Sequence, residues 1–268
     1  MARHDTEFAG SIPQLYDQYL GPLLFQPYAD ELARRAAELR PRRILETAAG
    51  TGIVTQSLAH ACPDADIVAT DLNQGMLDVA AARVGSDKVS FVAADAQDLA
   101  FEDGSFDLVV CQFGIMFMPD KVKANSEAHR VLRPEGRYLL ATWDRLDRNP
   151  VTQTSASAVA DLFPEGAADF MRRAPFSYAD VGQIEQDLLS AGFADIELET
   201  VTLRGRLPSA RDAAVGLCQG TPMRMAIEEH GADALERATE AAAAALTRFE
   251  GPDGLDAPMA AHIVTAIA

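Results

Sequence analysis

Five short runs rich in β-branched and apolar residues, each handing over to a different pattern, organise residues 43–143. They are Arg43 to Thr47 (RILET), Asp66 to Asp71 (DIVATD), Val89 to Ala94 (VSFVAA), Phe106 to Cys111 (FDLVVC) and Gly136 to Trp143 (GRYLLATW). Between them, Gly52 to Cys62 reads as a helix stopped by Pro63, Asn73 caps a helix reaching Val84, and Asp120 to Leu132 reads as a third helix. Upstream, Tyr28, Leu32, Ala36 and Leu39 share one face of a helix over Pro27 to Leu39. Strand–helix alternation of this kind builds a parallel sheet with helices on both faces, and right-handed crossovers fix most of its topology. FDLVVC lacks polar alternation near its end, as expected of a strand covered on both sides.

The second half is mostly helical. Val151 to Leu162 and Tyr178 to Ala191 read as helices, and Ser209 to Glu250 as two or three more, with Ala241 to Ala245 as good helix formers. Asp195 to Val201 reads as a sixth strand and Met259 to Ile267 as the last. The expected fold class is therefore α/β: a doubly wound, mostly parallel seven-stranded sheet, with a helical insertion between the last two strands. Residues 1–268 read as a single domain, with a helical segment over 1–40, an α/β core over 41–205 plus 257–268, and the insertion over 206–256.

The composition is that of an ordinary globular chain, 48% hydrophobic and 24% charged, and 268 residues bury a substantial core. The net charge of −17 counts against nucleic acid and against anionic membrane surfaces, because both need Lys and Arg facing phosphate. MARHDTEFAGS has no apolar run after its basic residues and is not expected to be a secretory leader. The apolar stretch Phe113 to Met118 falls far short of a membrane span. Three cysteines without CxxC spacing suit reduced thiols in a cytoplasm and predict no metal site.

In such sheets ligands bind at the carboxyl ends of the strands. There, ILETAAGTG puts Gly50 and Gly52 between a strand and a helix. Glycine allows positive φ and close approach of a ligand, and the helix start offers free N–H groups. The same glycines also suit a tight packing turn. A P-loop would need a Lys, which is missing. A dinucleotide fingerprint would need a third glycine where Thr55 stands, which weakens an NAD(P)-linked oxidoreductase. Asp71 ends the second strand about twenty residues later, where a carboxylate can take both ribose hydroxyls. Asp95 follows the third strand and can meet an adenine amino group. Either aspartate alone reads as a cap or turn residue; with the loop they form a constellation. Glu46, just before the turn, either bonds loop amides or meets a ligand ammonium.

As a set, ILETAAGTG, IVATD, AADAQDL, FDLVVCQFGIMFMPD and HRVLRPEGRYLLATW resemble the class I S-adenosylmethionine (SAM)-dependent methyltransferases, in particular the small-molecule group containing the ubiquinone/menaquinone biosynthesis C-methyltransferases. The resemblance covers Tyr16 to Trp143 and implies a Rossmann-like fold, SAM as cofactor and a small-molecule acceptor. It implies that Glu46, Thr47, Ala48, Ala49, Gly50 and Gly52 line the methionine and ribose, and that Asp71 binds the ribose. Leu72 and Met76 would flank the adenine, Ala94, Asp95 and Ala96 would meet its polar edge, and Gln112 and Phe113 would sit beside the sulfonium. Tyr16 and Tyr19, in YDQYL, resemble a lid that closes over SAM. Ala48 replaces the first of the family's three glycines, and can still present its amide if its φ is negative.

On the acceptor side, Met116, Phe117 and Trp143 lie at the ligand edge of the sheet, and Cys218 and Met223 lie in the insertion, read here as a lid over an apolar acceptor. Asp144, after the fifth strand, is the acid/base candidate, with a turn role equally open. His129 suits a surface role, His230 a helix end, and Cys111 a buried structural thiol. The remaining alternatives are a SAM-binding protein without transferase activity and an RNA methyltransferase, the latter opposed by the charge and by CQFG in place of an aromatic Asn-Pro-Pro type loop after the fourth strand.

Overall fold

The computed structural model describes residues 12–268 apart from Glu165 and Ala167. MARHDTEFAGS therefore lies outside the described residues. The strands are β1 (Arg43–Glu46), β2 (Asp66–Asp71), β3 (Val89–Ala93), β4 (Phe106–Gln112), β5 (Leu132–Trp143), β6 (Ala194–Leu207), β7 (Glu250–Gly251) and β8 (Gly254–Ile267). Short helix α1 (Ile12–Leu15) runs into a π-helical stretch, Tyr16–Phe25. Then come α2 (Gln26–Leu39), α3 (Ile53–Ala61), α4 (Gln74–Arg83), α5 (Lys121–Val131), α6 (Pro150–Leu162), α7 (Asp169–Arg173), α8 (Val181–Ser190), α9 (Ala210–Gln219), α10 (Met223–Glu228) and α11 (Ala234–Leu246).

The strands form one sheet in the order β3-β2-β1-β4-β5-β8-β6, with two-residue β7 paired to the start of β8. β1 to β5 are parallel, and β8 runs antiparallel to β5, Trp143 facing Ala261 and Arg137 facing Ile267. Among the described residues the seven expected strands form the sheet, and the two-residue β7 is added beside them. The last two long ones also exceed their expected bounds. β6 continues to Leu207 because alternate residues stay exposed and polar: Arg204 and Arg206 both pair with Asp256. β8 starts at Gly254, whose φ of +101° lets the backbone pass the Leu207 carbonyl, where an added Cβ would come within 2.4 Å. β5 starts at Leu132, which pairs with Phe106 across a register shift.

The chain divides into two compact units. The first combines, among the described residues, 12–27, Asp144–Ser177 and Thr202–Ala260. Within it α11 packs on α9 and α6, α9 packs on the π-helical stretch, and Gly216 leaves room for Leu20 and the Cβ of Tyr19. The second combines Tyr28–Trp143, Tyr178–Val201 and Ala261–Ala268. Its core is built on Ile44, Leu45, Ile67, Leu108, Val109, Val110 and Leu140, each at most 1% exposed.

Two contacts fasten the second unit behind the carboxyl ends of its strands. Buried His262 on β8 meets the Thr200 hydroxyl through Nδ1 at 2.9 Å and the Ala179 carbonyl through Nε2 at 3.1 Å. Tyr28, fully buried on α2, donates its hydroxyl to the Val201 carbonyl at 2.9 Å. Tyr28→Phe leaves that carbonyl without its donor and should cost about 1 kcal/mol, read as a lower denaturant midpoint at unchanged slope.

Candidate cofactor-binding site

The first turn of the site follows from β1. The Thr47 amide donates to the Val110 carbonyl and the Ala49 amide to the Thr70 carbonyl, so the loop is tied to both neighbouring strands. The backbone then turns left-handed three times, at Ala48 (φ +54°), Gly50 (+55°) and Gly52 (+79°). The condition of negative φ at Ala48 is therefore not met: the alanine keeps the conformation a glycine would take, which costs an L-residue roughly 1–2 kcal/mol. Its methyl is accommodated by Gly114, where an added Cβ would lie 2.4 Å from that of Ala48. Gly52 is packed as tightly, an added Cβ meeting Ala80 at 2.8 Å, whereas nothing lies within 4 Å of a Cβ built on Gly50. Open space therefore borders the loop at Gly50 alone of the three.

Asp71 closes the loop from β2. Its Oδ2 accepts the Gly50 amide at 2.9 Å and its Oδ1 the Asn73 amide at 2.8 Å. Burial pushes its carboxyl above the usual range, while the Asn73, Gly50 and Leu72 amides pull it back. Glu46 is more extreme. It is 1% exposed, and its Oε2 accepts no hydrogen bond. Burial pushes its carboxyl up to about 8, the Thr55 hydroxyl and amide work against that, and the Asp71 charge adds to it. A buried carboxyl oxygen with no partner is costly and calls for a physical explanation.

The neighbouring strand ends complete the surroundings. Leu72 is 75% exposed and Met76, in the first turn of α4, is buried. The Ala94 amide donates to the Asp71 carbonyl. Asp95 is engaged locally, its Oδ1 accepting the Gln97 amide at 2.9 Å, with half-buried Ala96 beside it. At the end of β4, Gln112 is half-buried and Phe113 adopts φ +53°. A left-handed phenylalanine is strained by of order 1–3 kcal/mol unless its surroundings hold it. Trp143 does so, its ring stacked on Phe113 at 3.7 Å and 4°, and Tyr28 packs edge-on against both.

The second unit thus brings together Glu46, Thr47, Ala48, Ala49, Gly50, Gly52, Asp71, Leu72, Met76, Ala94, Asp95, Ala96, Gln112 and Phe113 at adjacent strand ends. Met116 and Trp143 are buried there and Phe117 is half-buried. Tyr16, Tyr19, Cys218 and Met223 belong to the first unit. Tyr16 stacks on Phe25 at 4.6 Å, and Cys218 and Met223 are fully buried, burial raising the Cys218 thiol to about 12. Asp144 is a turn residue, its Oδ1 accepting the Arg145 amide and its own amide bonded to the Ala260 carbonyl. Sequence reasoning gave Thr55 and Tyr28 other roles and missed Gly114. Its one signal is a glycine standing two residues past the end of β4.

The donor set fits SAM: an unpartnered buried acid, a second acid on a glycine turn and open space beside that turn. Among the described residues no three potential metal ligands gather, and no helix is long and apolar enough to cross a membrane. The model of a methyltransferase-domain family matches residues 45–140, the stretch from β1 through most of β5. A demethylmenaquinone methyltransferase from Clavibacter sepedonicus is 34% identical over 197 residues, 68% of this chain and 80% of that one. A ubiquinone/menaquinone biosynthesis C-methyltransferase from Methylobacterium nodulans is 32% identical over 181 residues, 61% and 70% of the two chains. Phosphoethanolamine N-methyltransferase 2 of Haemonchus contortus, solved with SAM, shares the fold at a TM-score of 0.62 and 20% identity, over 98% of this chain and 58% of that one. A left-handed loop flanked by two acids, on this sheet and with these relatives, places the chain among the class I SAM-dependent methyltransferases, and it belongs to that family.

Proposed function

We propose that this methyltransferase transfers its methyl group to a small apolar or aromatic acceptor. SAM, when bound, supplies a methyl already activated on a sulfonium. What the chain must do is bind, align and keep water out, and alignment alone is worth roughly 7–11 kcal/mol in favourable cases. In this reading Glu46 and the 47–52 loop hold the amino-acid end, Asp71 the ribose, Leu72, Met76, Asp95 and Ala96 the adenine, and Gln112 and Phe113 the reacting end. The observation that carries the acceptor class is the apolar run Phe113 to Met118 at the end of β4, of which Phe117 keeps partial exposure. No base is assigned, since the Asp144 carboxylate is spent on its own turn. The relatives named for demethylmenaquinone make quinol-like rings the first acceptors to try.

The test is methyl transfer from labelled SAM to a panel of hydroquinones, phenols, aliphatic amines and RNA. Label in hydroquinones or phenols is the expected result. Label in the amines or RNA alone would overturn the acceptor class, and no label in any would favour a SAM-binding protein without transfer.

A further inference from the structure

Glu46 raises a question that cofactor binding alone does not answer. Its carboxyl is buried at the end of β1, which lies between β2 and β4, and no cation is among the groups acting on it. The titratable neighbour acting on it is Asp71 on β2, also an acid, while Cys111 on β4 turns its buried thiol to Thr47. A carboxylate there would be desolvated, short of one hydrogen bond and next to a second acid, each of which favours the neutral form. A neutral acid, in turn, has little attraction for an ammonium group.

We infer that Glu46 carries a proton in the free protein, loses it when the cofactor's ammonium seats against it, and so selects ligands that keep the amino-acid end. The inference rests on the SAM site proposed above. The step balances simply. The Glu46 O–H bond breaks, the electron pair stays on the carboxylate, the proton passes to buffer, and the ligand ammonium keeps all three of its protons. The new carboxylate then has a cation at the oxygen that had no partner.

The sign of the pH effect follows. Below about 8 the free protein holds one proton more than the complex, so affinity rises up to tenfold per pH unit. Above about 8 the ligand's own amine loses its proton and must regain it, so affinity falls again. The affinity profile peaks near pH 8.

Calorimetry at pH 6.5 in two buffers of different ionisation enthalpy counts the protons released. The expected result is close to one proton with SAM and with S-adenosylhomocysteine, and none with 5′-methylthioadenosine, which lacks the amino-acid end. Binding of SAM with no proton released overturns the inference while leaving the cofactor assignment intact. Release with SAM but not with S-adenosylhomocysteine overturns it too, since the sulfonium would then be the trigger. Absence of any binding heat would count against the site itself. Glu46→Gln should abolish the release, and release that persists in it assigns the proton elsewhere. Should that variant not bind, its ligand-free thermal midpoint still decides. A raised carboxyl in the folded state stabilises below about 4.5 and loses that contribution as pH rises to about 8. The native midpoint should therefore fall over this range more than that of Glu46→Gln, and parallel curves would refute a protonated Glu46.

Discussion

Asp71→Ala is expected to weaken SAM binding by roughly 10- to 100-fold, the loss of one charge-assisted hydrogen bond at about 1.5–3 kcal/mol in favourable geometry. The carboxylate has two jobs. It holds the Gly50 and Asn73 amides in the ligand-free loop, and in the proposed complex it also receives the ribose hydroxyls through its remaining lone pairs. Asp71→Asn separates them. It keeps one acceptor oxygen for a loop amide but loses the charge and offers an NH2 group to the other amide. If both jobs are real, the alanine variant loses affinity and loop order together, while the asparagine variant loses mainly affinity. Titration calorimetry gives the first readout, and amide exchange at Gly50 and Asn73 the second. Undiminished SAM affinity in Asp71→Ala would remove the ribose role. Removing this acid also relieves Glu46 of a like charge, so proton release should move to lower pH in both variants.

Gly114→Ala should be the most destabilising single methyl addition in the second unit, about 1–3 kcal/mol, with a fall in melting temperature of several degrees. The new Cβ would sit 2.4 Å from that of Ala48 and 3.2 Å from the Cys111 sulfur. Ala48 cannot step aside, because its loop is bonded to β2 and β4 on either side. The informative measurement is the double variant. Ala48→Gly removes the opposing methyl and suits the left-handed backbone, so Ala48→Gly/Gly114→Ala should recover most of the loss, the sulfur contact setting what remains. Additive effects would mean that the two residues do not oppose each other. In SAM affinity, Ala48→Gly alone should change little if the methyl acts only as packing against Gly114.

The parts of the fold visible in the sequence were those with an unambiguous period. β1 to β4 and α2 to α5 fall within a few residues of the expected bounds, since their apolar runs are short and bracketed by Gly, Pro, Asn or Asp. The ends of β6 and β8 were not visible. Residues such as Arg204, Arg206 and Asp256 look like loop composition until their pairing across strands is seen. The same distinction holds in the site. Glu46, Gly50, Gly52 and Asp71 are readable because each stands at a strand end with its own chemistry. The left-handed backbone at Ala48 and Phe113 is not, because nothing in an alanine or phenylalanine announces positive φ. Only the partner does so: Gly114 for the one, the Trp143 ring for the other, each remote in sequence or hidden by its own ambiguity.

The place of β8 between β5 and β6 bears on how the chain is made. Trp143 leaves the ribosome more than a hundred residues before its partner Ala261, so at roughly 5–20 residues per second β5 waits on the order of ten seconds with a bare edge. That edge, LLATW, is apolar and free to pair with any other nascent strand, which makes it the natural target for a chaperone and the first suspect when overexpressed chains become insoluble.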